Sequence, residues 1–321
     1  MKKIPSISSQ IDEKIIFQII QKNFSKLAPY YYNLVTNWLI GAYSHYKDID
    51  KFIIIIYLIN KDLMFFRRNG LIIDYETFYK DKTLEIEKIN ISDISKDLNI
   101  PKESIRRKVL ELEKKSIIKK TGKKIFVDRS AFYAAQAKTT LKNLSVLLHE
   151  FSKLIKKERF NDKIFEVDEI SNSIKKNFSF CWYQFYKFLF IFTNRWREQV
   201  QDLETFCVGI LAMLNASENK TFRVKDLNIK KYQKSVMSAD NTGLNAMSIS
   251  EITNIPRPTV VRKLKYLIDN DYLSINEKKL ITVNIRGKAF KASTNLQNKN
   301  MVNLSNFIFR LFNQINIINH H

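Results

Sequence analysis

Two stretches of this chain, 155 residues apart, spell nearly the same segment. ISDISKDLNIPKESIRRKVLELEKKSIIKKTGKKIFVD at 91–128 aligns without a gap on AMSISEITNIPRPTVVRKLKYLIDNDYLSINEKKLITV at 246–283. Asn99-Ile100-Pro101 falls on Asn254-Ile255-Pro256, Arg107-Lys108 on Arg262-Lys263, Leu112 on Leu267, and Lys123-Lys124 on Lys278-Lys279. The likeness runs on to both sides. KNFS occurs at 22–25 and 176–179, Asp48–Phe52 matches Asp202–Phe206, and Asn143-Leu144-Ser145 recurs as Asn303-Leu304-Ser305. The repeat thus covers about 20–155 and 174–315. A period this long predicts two like domains, 1–160 and 161–321, and not a short-period solenoid.

Within each unit the apolar periodicity gives one order of elements. An opening helix (10–27 and 166–178) leads into an aromatic-rich helix (30–46 and 180–198) and an apolar helix (48–66 and 202–215). A longer polar connection follows (67–90 and 216–245), then two short helices, a hairpin and a long closing helix (130–156 and 287–317). In the last of these Phe307, Ile308, Leu311, Phe312 and Ile315 form one wide apolar stripe. Only the hairpin asks for strands.

The repeated segment has a clear local logic. Ile91, Ile94 and Leu98 recur on one face of a short helix. Asn99 ends it, because asparagine tolerates the left-handed conformation of a tight exit turn. Pro101 suits the first turn of the next helix, where its missing N–H costs nothing. Ile105, Val109 and Leu112 face inward there; in the second copy Val260, Leu264 and Leu267 do. A hairpin with a basic tip follows each: Lys119–Lys124 between Ile117-Ile118 and Ile125–Val127, and Asn276–Lys279 between Tyr272-Leu273 and Leu280–Val283.

Charge narrows the partners. With 54 Lys+Arg against 32 Asp+Glu, the net charge of +22 favours nucleic acid or an anionic membrane surface. Part of that excess belongs to a composition rich in Lys, Ile and Asn, so placement matters more than the sum. Cys181 and Cys207 lie in apolar helical patterns and read as buried, reduced thiols. His45, His149, His320 and His321 build no zinc or catalytic set, and no phosphate loop or activated nucleophile stands out. Neither an enzyme nor a cofactor or metal is expected. The apolar runs Phe52–Leu58 and Phe178–Phe192 are too short or too interrupted to span a bilayer, and the N-terminus lacks an apolar core. A cytoplasmic, nucleoid-associated protein is the expectation.

These residues resemble the winged helix-turn-helix transcription regulators, with the MarR-type (multiple-antibiotic-resistance-type) family similar in element order. The run Ile281–Ala289 looks like that family's exit from the wing into a helix. The chain departs from the pattern in its short wings, its longer polar connections and its two fused units. The expected fold class is therefore mostly α with small β wings: two winged helix-turn-helix domains related by internal duplication about a pseudo-two-fold axis. Each second helix is expected to enter a major groove, with the basic hairpin on phosphates. The expected DNA-binding residues are Lys102, Ser104, Arg106, Arg107 and Lys108 with Lys120, Lys123 and Lys124 in the first unit. Arg257, Thr259, Val261, Arg262 and Lys263 with Lys278 and Lys279 are their counterparts. Unlike helices predict an imperfect palindrome, its halves one helical turn (about 34 Å) apart, bound by one chain alone or within a higher homo-oligomer.

The aromatic clusters Phe180, Trp182, Tyr183, Phe185, Tyr186, Phe188, Phe190 and Tyr30, Tyr31, Tyr32, Trp38 have two readings. They pack the halves together, or they line a pocket for a small-molecule effector, as the resemblance implies. Three rivals stand beside the regulator: a plasmid-type replication initiator with two winged helices, a winged-helix scaffold that binds protein partners, and a binder of anionic membranes.

Overall fold

A computed structural model describes residues 10–80, 83–86, 90–121, 124–128, 137–218, 227–237, 243–284 and 286–319. Those residues form a mostly helical protein with two small antiparallel sheets. The helices are α1 (Glu13–Lys22), α2 (Phe24–Tyr46), α3 (Ile49–Arg68), α4 (Tyr75–Lys80), α5 (Ile91–Leu98), α6 (Lys102–Lys114) and α7 (Ala137–Lys157). They continue with α8 (Val167–Lys176), α9 (Phe178–Val200), α10 (Leu203–Ser217), α11 (Ile229–Met237), α12 (Ala246–Thr253), α13 (Arg257–Asp269) and α14 (Lys288–Asn319). The strands are β1 (Thr83–Ile86), β2 (Ile118–Thr121), β3 (Lys124–Asp128), β4 (Leu273–Ile275) and β5 (Ile281–Val283). Among the described residues no helix is long and apolar enough to cross a membrane.

Two expectations about elements need correction. The opening helix does not run through to residue 27: it stops at Lys22, and α2 starts at Phe24. Asn23 sits between them with φ −113°, and its buried amide donates to the Ile19 carbonyl at 3.1 Å. Asn177 makes the same break between α8 and α9, its amide on the Ser173 carbonyl. Secondly, the polar connection 67–90 is not featureless. It holds α4 and strand β1, which pairs antiparallel with β3 and gives the sheet the order β1-β3-β2. Leu84 and Ile86 alternate inward opposite Val127 and Ile125 while Thr83 and Glu85 face out. Among the described residues of the second half, an isolated bridge joins Leu244 to Ile281 of the hairpin β4-β5.

The two halves do not fold side by side as separate cores. One buried cluster runs from Ile11 to Ile315. Its packing is reciprocal: α2 lies on α10 and α9 lies on α3, while α1 packs on α14 and α7 on α8. Tyr31 meets Phe188 and Phe192, and Tyr57 meets Phe190, so part of the aromatic set packs the halves together. Ser25 exchanges two hydrogen bonds with Leu227, its N–H to the carbonyl at 3.2 Å and its Oγ accepting the N–H at 3.0 Å. Ser179 does the same with Ile73, at 2.9 Å each. The repeated KNFS tetrapeptide therefore has a structural task in both copies: its asparagine breaks the helix and its serine ties down the other half's connection. Cys181 and Cys207 are buried and free, and burial pushes the Cys181 thiol up to about 12.

Candidate nucleic-acid interface

The turn between α5 and α6 follows from Asn99, whose backbone takes φ 50° and ψ 46°; Asn254 does the same between α12 and α13 at φ 57°. This conformation costs asparagine little. Ser95 Oγ then donates to the Ile100 carbonyl and Ser250 Oγ to the Ile255 carbonyl, both at 2.7 Å, which pins the two turns alike. Pro101 and Pro256 sit one position before the helices and cap them, their carbonyls accepting the N–H groups of Ile105 and Val260 at 3.0 Å. As the periodicity requires, Ile105, Val109, Leu112, Val260, Leu264 and Leu267 are all buried.

Lys108 and Lys263 correct the expected DNA-binding set. Both belong to the buried face. Lys108 is 9% exposed and its ammonium pairs with Asp48 and, at 3.6 Å, with Asp50. Lys263 is 8% exposed and bonds Asp202 at 2.7 Å and the Thr205 hydroxyl at 3.1 Å. Asp48 and Asp202 are themselves the N-caps of α3 and α10. Each lysine thus fastens its helix to the start of the apolar helix of its own half, and its charge is neutralised inside the protein. Sequence reading missed the anchoring role of Asp48 and Asp202, although their repeat 60 and 61 residues before the two lysines was visible.

The two anchoring points adjoin one another. The Ile49 N–H donates to Glu204 at 2.8 Å, so the N-termini of α3 and α10 meet. Asp50 pairs there with Arg197, whose guanidinium also donates to the Leu98 carbonyl at 2.8 Å. Further out, Asn99 Nδ2 donates to Glu198 at 2.8 Å and Asn254 Nδ2 to Ser44 Oγ at 3.1 Å, each turn bonding the other half. Consequently α6 and α13 are both fastened to one junction. Burial raises the Glu204 carboxyl above its ordinary value, helped by Asp50, Asp48 and Asp202 and opposed by the Ile49 N–H. For Asp202 burial also pushes upward, but Lys263 and the Thr205 N–H outweigh it and hold the carboxyl low.

The outward faces carry the remaining residues. Lys102, Arg106 and Arg107 are exposed and Ser104 half-buried on α6. Arg106 is drawn to Glu103, one turn back, at 3.1 Å, and Arg107 lies in the field of Glu111. On α13 Arg257, Val261 and Arg262 are exposed and Thr259 half-buried; among the described residues neither arginine pairs with a carboxylate. Lys120 pairs with Glu113 at 2.8 Å and Lys124 with Glu85 at 2.5 Å, while Lys278 and Lys279 are exposed at the β4-β5 turn. Lys123 lies outside the described residues. No protein-family model, no curated protein and no solved structure matches the chain. Any function must therefore be argued from these residues.

A cavity of about 90 Å³ lies behind α13, between the halves. Tyr31 and Tyr32 of α2, Trp196, Phe206, Leu267 and Tyr272 are among its walls. The rest of the two aromatic clusters read from the sequence does not line it. Two buried donors at its wall, Asn300 Nδ2 and Trp196 Nε1, have no hydrogen-bond partner among the described residues. The Asn300 Oδ1 accepts from Arg195 at 3.2 Å, which fixes the amide.

Proposed function

We propose that this chain is a sequence-specific double-stranded-DNA-binding transcriptional regulator. In this reading α5-α6-β2-β3 and α12-α13-β4-β5 are two winged helix-turn-helix units related by duplication, and one chain acts as its own dimer. The observation that carries the proposal is the common anchorage of α6 and α13. Equivalent buried lysines hold them to equivalent caps, at a junction where the caps adjoin. Reciprocal contacts, in which residue i of one half meets j of the other and the counterpart of i meets that of j, are the mark of an isologous pairing. The Ser25–Leu227 and Ser179–Ile73 exchanges have that form.

The physical sense is groove geometry. A helix set in the major groove presents the side chains of its N-terminal half to base edges, and cations on either side meet phosphates. Arg107 and Arg262 occupy matching places on the two helices. Lys102 and Arg257 stand at their first turns. The outward residues differ between helices, so the site is an imperfect palindrome. A gel-shift series with the two half-sites swapped tests this: equal affinity for both perfect palindromes sinks the asymmetry. Reversing charge at Arg107 and Arg262 together is expected to abolish binding, and unchanged affinity removes them from the interface.

A replication initiator shares this chemistry, and only the location of the bound sites on the genome separates the two. The protein scaffold and the membrane binder lack a supporting observation of their own. The cavity favours an added effector: a small, largely apolar molecule with an acceptor oxygen for Asn300 and Trp196. Because Leu267 and Tyr272 line it, occupancy bears on α13 and its hairpin. A change in the fluorescence of Trp196 on titration with such molecules tests it, and Asn300→Leu is expected to abolish the response.

A further inference from the structure

The two outward surfaces differ in the placing of their exposed apolar side chains: the first unit has Leu110, 46% exposed, where the second has Lys265. At three other positions the exchange runs the opposite way: the first unit has Ser92, half-buried, and Asp97 and Arg106, exposed, where the second has Met247, Ile252 and Val261. The three apolar side chains are 51%, 42% and 49% exposed, respectively. Exposed apolar residues scattered singly need no account, but all three belong to one small unit, at places its counterpart fills with polar groups. Val261 is the telling one. Pro258, Val261, Arg262 and Lys265 follow one another at i, i+3, i+4 and i+7 along the outer stripe of α13. Lys265 is held by Asp269 at 2.8 Å, and Arg257, one turn before Val261, and Arg262, next to it, flank the valine. In the first unit the same place holds Arg106, tied to Glu103.

The exposed methyl groups of Val261, beside two arginines that pair with no carboxylate among the described residues, match one feature of the major groove, the thymine C5-methyl, which stands beside phosphates and is read by apolar contact. Taking the DNA-binding reading as its ground, we infer that the second unit selects thymine-rich half-sites through Val261. The first unit reads its half-site with charged and hydrogen-bonding groups instead. Val261 is then the specificity-determining residue of one half-site, with Thr259 and Pro258 alongside.

The test uses the whole chain and duplexes selected by it from a random pool. Thymine is replaced by uracil, which keeps every hydrogen-bonding edge and removes only the methyl, in one half-site at a time. In the second unit's half-site, affinity is expected to fall about fourfold for each methyl that Val261 touches, the effect of one buried CH₂-sized group. In the other half-site it stays unchanged. Val261→Ser and Val261→Asn, which remove both methyl groups and leave a polar side chain, are expected to erase the thymine–uracil difference while leaving the salt dependence of binding intact. Salt-dependent binding that is indifferent to uracil in both half-sites overturns this inference alone. So does a thymine–uracil difference that survives both variants. No salt-dependent binding to any duplex overturns the DNA-binding reading, and this inference with it.

Discussion

Replacing Lys108 by methionine separates the anchoring role of α6 from its proposed DNA contacts. The Lys108 side chain is 11% exposed and faces Asp48 and Asp50, which are 21% and 22% exposed. Removing one partner of a fully buried ion pair costs about 3–5 kcal/mol, because the other charge stays behind. Here the carboxylates keep some access to water, Asp50 retains Arg197, and methionine fills the space of the lysine stem. The expected loss is about 2–3 kcal/mol of stability. For Lys263→Met the remaining Asp202 is 45% exposed, and solvent screening brings the loss to about 1–2 kcal/mol. Urea unfolding followed by circular dichroism measures both as a fall in midpoint at constant slope. Under conditions where the variants are folded, the slope of log Kobs against log salt stays at the wild-type value. Arg107→Ala or Arg262→Ala shows the converse: stability within about 0.5 kcal/mol of wild type, and a salt slope lower by about 0.9 for each phosphate no longer neutralised. If Lys108→Met leaves the urea midpoint unchanged but lowers the salt slope, the lysine binds DNA and its anchoring role is refuted.

Other substitutions probe the junction and the turns. Folding raises the Glu204 carboxyl, so its ionised form opposes folding above the raised value and that opposition fades as pH falls toward the ordinary 4.5. Glu204→Gln, which keeps an acceptor for the Ile49 N–H, is expected to be more stable than wild type at pH 8, with the advantage shrinking toward pH 5; a less stable variant at pH 8 refutes it. Asp202 works the other way. Its carboxyl is held low in the folded protein, so its contribution is present above the ordinary range and disappears as pH falls through the lowered value. At the turns, Asn99→Val and Asn254→Val each force a β-branched residue to positive φ and are expected to cost about 1–2 kcal/mol in urea unfolding. Glycine at either place is expected to change stability by under about 0.5 kcal/mol, and equal costs for valine and glycine place the effect in the missing side-chain hydrogen bonds instead.

Much of the helical framework was legible from period and punctuation. Ile105, Val109 and Leu112 mark a buried face because they recur at helical spacing, and Asn99 marks a turn because few residues tolerate its φ. Strand β1 was missed for want of length: Leu84 and Ile86 alternate over only four residues, and their pairing with β3 reaches across the chain. Lys108 and Lys263 were misread for a different reason. Lysine is buried only when a carboxylate meets it, and Asp48 and Asp202 lie some sixty residues before them. Their inward place follows from helical phase, since both sit three residues after a buried position (Ile105, Val260) and four before another (Leu112, Leu267). The exchange of partners between halves, α2 on α10 and α9 on α3, leaves no trace in local pattern, because an apolar face does not say which surface covers it.

Duplex DNA as the partner of the outward faces of α6 and α13 is the central claim. Titration of a fluorescent random-sequence duplex with the whole chain, by anisotropy at salt concentrations from about 50 to about 300 mM, tests it most directly, because that range is of the order that reveals counterion release. Binding is expected to weaken steeply, with log Kobs falling linearly against log salt and one chain bound per site. Absence of binding at the lowest salt, or an affinity that does not respond to salt, contradicts the claim.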